Sequence, residues 1–148
     1  MRLIIYNIIV YLVLPLTIIK LVYRGLKNKD YLRGWAERFA IYPDSEKNKW
    51  LKRKTLWIHC VSVGETKAIY RLLEQLEEKH PRAHFLITHG TPTGKKVSLP
   101  KTKNIHRAYL PYDAFGLVKR FFNFYRPTVG ILIEKEIWPN LITQCNHK

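Results

Sequence analysis

One stretch, Thr55-Leu56-Trp57-Ile58-His59-Cys60-Val61-Ser62-Val63-Gly64-Glu65-Thr66, constrains the fold of this chain more than any other. It opens as an apolar run too short for a helix and rich in residues that suit a buried strand. The run breaks at Ser62-Val63-Gly64-Glu65, and Ile69, Leu72, Leu73 and Leu76 then recur at helical spacing. Strand, tight turn and helix form the unit of an open α/β sheet. Its turns stand at the carboxyl ends of strands, where ligands bind. Gly64 lets a backbone or a ligand come close, and the free amides of a helix start attract anions. Most strand-to-helix turns carry no chemistry, so by itself this one speaks to fold rather than function.

The same alternation fills the rest of the chain. The first helix runs to about His80 and stops before Pro81. Residues 83–88 read as a second strand, followed by the glycine- and threonine-rich loop His89-Gly90-Thr91-Pro92-Thr93-Gly94. That loop lacks the GK[ST] signature of a phosphate loop, so nucleotide binding gains no support from it. A third strand over 105–110 ends in Pro111-Tyr112-Asp113. Asp113 is placed to cap the next helix, whose apolar stripe is Leu117, Val118, Phe121, Phe122 and Tyr125. Pro127 ends that helix. A fourth, wholly apolar strand over 129–133 delivers Glu134-Lys135-Glu136-Ile137-Trp138-Pro139-Asn140, where a last helix begins. The pattern predicts a Rossmann-like parallel sheet with helices on both faces. The strand-end rule gathers the turns at 62–65, 90–94 and 134–140 on one rim. Glu65, Glu134 and Glu136 would stand there as carboxylates, and acids placed directly after an apolar strand are costly.

Residues 3–23 are apolar over a length that suits a membrane span, interrupted by Asn7, Pro15 and Lys20. No small-residue cleavage site follows, which argues against a removable signal peptide. Lys20, Arg24, Lys27, Lys29 and Arg33 outnumber Arg2, so the positive-inside rule places the body of the protein in the cytoplasm. An ordinary buried helix is the other reading, but one apolar on all faces at a chain terminus is unusual for that role. Segment 44–54 is charged, lacks apolar periodicity and reads as a linker. The expected division is therefore an anchor over 1–24, a stem helix and linker over 25–54, and an α/β domain over 55–148. The net charge of +15, from 26 Lys and Arg against 11 Asp and Glu, calls for an anionic partner. Nucleic acid, an acidic membrane surface and a phosphorylated substrate all qualify. Cys60 and Cys145 show no paired spacing and read as reduced thiols. Within 30–43, Glu37 has Arg33 and Arg38 close in sequence and aromatics at Trp35 and Phe39; a surface salt bridge is its ordinary reading.

Taken together, these motifs resemble one family. Trp57-Ile58-His59 with Ser62-Val63-Gly64-Glu65, Thr91-Pro92-Thr93-Gly94, Leu110-Pro111-Tyr112-Asp113, Arg126-Pro127 and the stretch from Glu134 to Asn140 are similar to those of 3-deoxy-D-manno-octulosonic acid (Kdo) transferases. The apolar N-terminus and Arg33-Gly34-Trp35-Ala36-Glu37-Arg38-Phe39 match as well, so the resemblance covers the chain in order. It departs where the family has Gly for Ala40, a small residue for Cys60 and Thr for Lys135. The resemblance implies the N-terminal half of a two-domain, B-type glycosyltransferase at the cytoplasmic face of the inner membrane. Such enzymes move Kdo from its cytidine monophosphate sugar (CMP-Kdo) to a phosphorylated, acylated lipid A precursor, lipid IVA, in lipopolysaccharide synthesis. By the same resemblance Glu37 is the catalytic base, and Ser62, Gly64, Glu65, Thr93, Gly94, Glu134 and Glu136 belong to the acceptor-binding set. It implies no metal and no cofactor, membrane lipids as partners, and a donor domain that this chain does not supply. CMP-Kdo would reach the site only through that domain.

Two other classes stand beside this expectation. One is a basic nucleic-acid-binding domain, which the charge would suit but for which no motif is present. The other is a non-catalytic, membrane-anchored adaptor derived from half a transferase.

Overall fold

The computed structural model describes residues 2–51, 53–100, 104–133 and 138–146. The chain opens with a long helix α1 (Arg2–Lys27), a 3-10 turn over Lys29–Tyr31, and two short helices, α2 (Trp35–Arg38) and α3 (Asp44–Leu51). Then come β1 (Thr55–Cys60), α4 (Val63–Ala68), α5 (Tyr70–Lys79), β2 (His84–His89), α6 (Pro92–Lys96), β3 (Ile105–Tyr109), α7 (Phe115–Tyr125), β4 (Pro127–Leu132) and α8 (Pro139–Asn146). The four strands are parallel and lie in the order β3-β2-β1-β4. The chain steps outward from β1 to β3, then returns to the other side of β1 for β4. The order therefore reverses between β1 and β4, which is where open α/β sheets form their ligand crevice.

Alternation along each strand sends side chains to two separate cores. Trp57 and Leu86 face Phe121, Phe122 and Tyr125 of α7 and Leu141 of α8. Ile58, Cys60, Phe85 and Ile87 face the other way, beneath Ile69 and Leu73. Helices thus cover both faces, as expected. Trp57 meets the Phe121 ring edge-on at 5.3 Å, and its indole Nε1 donates to Thr88 Oγ1 at 2.8 Å. Strand bounds differ from the sequence expectation by one or two residues, within the ordinary fraying of such edges.

Two local expectations are corrected. The 44–54 stretch, read as a linker, forms helix α3 over Asp44–Leu51. It carries no apolar stripe because a single side chain docks it: Trp50 is 1% exposed and packs against His84, His106 and Tyr125. Asp113 does not cap α7, whose N-cap is Ala114 with no side-chain bond. Its carboxylate instead accepts from the amides of Asn140 (3.0 Å) and Leu141 (2.9 Å), at the start of α8. Those amides have no partner within their own helix, so an anion from α7's entry serves them.

Helix α1 is long and apolar enough to cross a membrane by length and composition. One stripe of it, through Leu3, Tyr6, Asn7, Val10, Leu14, Thr17, Leu21 and Gly25, is shielded, while Ile5, Leu12, Leu16, Ile19 and Leu26 stand in the open. Polar bonds seat the helix on the domain. Tyr6 Oη donates to Asp113 Oδ2 at 2.8 Å, Asn140 Nδ2 donates to Asn7 Oδ1 at 2.9 Å, and Gly116 N donates to Tyr11 Oη at 3.2 Å. Asn7, which interrupts the hydropathy, is thus a docking residue.

Candidate active site

The turn after β1 is held by its own side chains. Ser62 Oγ accepts from Glu65 N at 3.3 Å, and Glu65 returns one oxygen to Ser62 N (3.2 Å) and the other to Val61 N (2.7 Å). This capping box engages both carboxylate oxygens of Glu65 at the start of α4. Gly64 is different: a methyl group there would meet nothing nearer than Ser62 Oγ at 3.9 Å. No packing demand explains a glycine that costs the helix about 1 kcal/mol against alanine. The loop after β2 leans on the same turn. Thr91 Oγ1 donates to Val61 O (2.9 Å) and accepts from Gly94 N (3.2 Å), starting α6. Gly94 is where the two turns touch, since an added Cβ would lie 3.1 Å from Val61 O and 3.3 Å from Ser62 C. Thr93 is exposed, its hydroxyl donating to Thr91 Oγ1 at 3.3 Å.

Behind both turns lies a part-buried brace that the sequence did not announce. Arg107 on β3 donates through Nη2 to Gly94 O at 2.9 Å and through Nε to His89 Nε2 at 3.2 Å. Burial, with Arg107 beside it, brings His89 down to about 3, so the imidazole is neutral. With Nε2 accepting, the proton sits on Nδ1, 3.4 Å from Thr66 Oγ1. Thr66 in turn donates to Ser62 O at 2.7 Å. Arg107 therefore ties the α6 loop to the α4 turn through one imidazole. Cys60, at the end of β1, is pushed up to about 12 by burial, which leaves its thiol inert.

Glu37 stands on α2, against the end of β3. Its Oε2 accepts from Tyr109 N (2.7 Å) and from Lys95 Nζ (2.7 Å), and no described residue bonds Oε1. The cation beside it is Lys95 of α6, not the sequence neighbours: Arg33 pairs with Asp30, and Arg38 turns to Gly90 O at 3.1 Å. Nor do Trp35 and Phe39 enclose the carboxylate; Trp35 is half exposed, and Phe39 packs on Tyr112. Gly34 makes the placement possible. Its φ is +70°, and a Cβ there would lie 3.1 Å from the Tyr109 ring and 3.3 Å from Glu37 Oε2. The carboxylate opens on a cleft lined by Arg33, Lys95 and Lys96, with Lys96 paired to Asp30.

Beside that cleft, a cavity of about 280 Å³ opens at the strand ends, lined by Arg38, His59, Val61, Gly90, Tyr112, Asp113 and Trp138 among others. It spans the ends of β1, β2 and β3 next to the point where strand order reverses. The structure so brings together Ser62, Gly64, Glu65, Thr93 and Gly94 as two touching turns, with Glu37 joined to them through Lys95. Glu134, Glu136 and Lys135 lie outside the described residues. Lys95 and Arg107 were missed by sequence reading because α6 is too short to show a stripe and β3 reads as plain strand.

Known proteins match this arrangement in sequence. Residues 33–148 match the family described as 3-deoxy-D-manno-octulosonic-acid transferase (kdotransferase). The 3-deoxy-D-manno-octulosonic acid transferase of Rickettsia bellii is 34% identical over 146 residues, covering 95% of this chain and 34% of that protein. Its namesake in Haemophilus influenzae is 34% identical over 121 residues, 81% of this chain and 28% of that protein. The Bordetella pertussis protein of the same name is 37% identical over 93 residues, 59% of this chain and 21% of its own length. The chain thus spans about a third or less of each of these relatives. A parallel four-stranded sheet with helices on both faces and a match over residues 33–148 place this chain in the Kdo transferase family of glycosyltransferases.

Proposed function

We propose that this chain forms the acceptor-binding part of an inverting glycosyltransferase that moves Kdo from CMP-Kdo to a phosphorylated lipid A precursor, with Glu37 as general base. The observation that carries the reading is the state of the Glu37 carboxylate. One oxygen is fixed by Lys95 and Tyr109 N, while the other is left for a proton from an incoming hydroxyl. A base must be aimed before it can act, and here a cation and a backbone amide do the aiming. As the acceptor oxygen attacks the anomeric carbon of Kdo, its proton passes to Glu37 Oε1 and the bond to the cytidine monophosphate breaks. Arg33, Lys95 and Lys96 outnumber the paired Asp30 and Glu37, which leaves the cleft a net positive charge for a phosphorylated acceptor. Gly64, free of packing demands, and the exposed Thr93 offer open surface on the rim, and Gly94 lets the two turns meet. Glu65 contributes by holding its turn. Glu134 and Glu136 complete the acceptor-binding set, and the donor is bound by sequence that the longer relatives carry beyond the matched part. The lipid-facing side of α1, with Lys20, Arg24, Lys27 and Lys29 at its end, suits the cytoplasmic face of an inner membrane.

The test pairs this chain with the C-terminal two thirds of a family member to supply the donor side. Glu37→Gln should lower the single-turnover rate about a hundredfold to ten-thousandfold, with acceptor affinity and melting temperature kept. A lower melting temperature with the rate per folded molecule preserved would reduce Glu37 to a structural salt bridge. Alone, the chain should bind lipid IVA in calorimetry and show no heat with CMP-Kdo.

A further inference from the structure

A second pocket lies on the other side of Arg38, between α1 and the strand ends. It has a volume of about 240 Å³, and Thr17, Lys20 and Arg24 of α1, Tyr31, Arg38 and Tyr112 line it. Three cations converge there, and no carboxylate lines the pocket among the described residues. Arg38, in the pocket wall, is 8% exposed; its Nη2 donates to Gly90 O at 3.1 Å and its guanidinium lies 4.0 Å over the Tyr109 ring, which fixes it in place. The group that best matches a guanidinium's planar donor fork is a phosphate or carboxylate. The hydroxyls of Tyr31 and Tyr112 are further donors suited to the same kind of group.

We propose that this pocket binds the phosphate monoester of a membrane lipid, held by Lys20, Arg24 and Arg38. The lipid source follows from where the cations stand. Lys20 and Arg24 flank the shielded stripe of α1, and Leu16, Ile19 and Tyr23 at the same level are exposed and apolar. A phosphate seated in the pocket would leave acyl chains to lie along that open face. A dianionic monoester matches three cations better than a diester carrying a single charge. This site is separate from the Glu37 cleft, and it does not depend on Kdo transfer.

The experiment is co-sedimentation of the full chain with phosphatidylcholine vesicles, with and without phosphatidic acid. The chain should prefer the phosphatidic acid vesicles, and Lys20→Gln with Arg24→Gln should cut that preference about tenfold. Lys79→Gln with Arg82→Gln removes the same charge at the opposite end of the sheet and should leave the preference intact. Equal loss in both pairs would mean diffuse surface charge and overturn the pocket. Displacement of the chain from phosphatidic acid vesicles by equimolar inorganic phosphate would overturn the lipid source. Arg38→Gln, checked for folding by thermal melt, should lose the preference; a folded variant that keeps it would also overturn the proposal. Should Arg38→Gln fail to fold, the Lys20 and Arg24 pair decides alone.

Discussion

At the scale of single residues, the part of the site most exposed to sequence choice is the end of α2. Ile41 N donates to Ala36 O at 2.9 Å and Ala40 N to Glu37 O at 3.0 Å, the pair of bonds that closes a Schellman cap. Such a cap needs a left-handed residue just past the helix, and Ala40 supplies it at φ +52°. Alanine in that region is strained by about 1–2 kcal/mol, which glycine avoids at some cost in chain entropy. The glycine that the resemblance leads one to expect at this position would thus have a physical reason. Ala40→Gly should stabilise the protein by up to about 1 kcal/mol, visible as a rise of a few degrees in melting temperature. A fall would show that the buried methyl group matters more than the strain. The same few residues mark where sequence reading stopped. The residues around Glu37 suggested only a surface salt bridge with Arg33 or Arg38, and the family resemblance singled it out; the cation that bonds it, Lys95, lies on α6 and reaches it only through the fold.

Among elements, the strands and the longer helices α5 and α7 were legible because each repeats its apolar signal several times. α3 and α6 were not: one rests on Trp50 alone, the other spans a single turn. The strands also carry a consequence that periodicity does not show, since histidines are built into β2 and β3. Burial brings His89 to about 3 and His106 to about 4, from 6.5 for a free imidazole. Between pH 6.5 and those values the unfolded chain binds protons that the folded chain refuses, so stability falls as pH falls. Each such histidine contributes a slope of about 1.4 kcal/mol per pH unit within that window. Urea midpoints should therefore drop between pH 7 and pH 5. His89→Gln, which can still accept from Arg107 and donate toward Thr66, should flatten the decline. An unchanged slope in that variant would mean that His89 takes up its proton in the folded state.

For the whole molecule, the question is what α1 belongs to. Hydropathy alone treats residues 3–23 as a span that the domain merely hangs from, and in that picture Tyr6 and Asn7 are imperfections. In the structure they are the joint. Asp113 accepts from Tyr6 while serving the amides at the start of α8, and Asn140 reaches both Asn7 Oδ1 and Asp113 O. One carboxylate therefore links α1, the entry to α7 and α8, and burial raises its proton affinity, so each donor to it matters. Tyr6→Phe with Asn7→Leu makes the helix more apolar and better suited to lipid by composition. A freely spanning anchor predicts tighter membrane partition and unchanged unfolding of the domain. A docked helix predicts a loss of about 2 kcal/mol, roughly 1 for each of the hydrogen bonds to Asp113 and Asn140. Thermal melts of the double variant in mild detergent, followed by near-ultraviolet dichroism of the buried Trp50 and Trp57, should show the lower midpoint. A midpoint equal to that of the parent chain would return α1 to the role of a simple anchor.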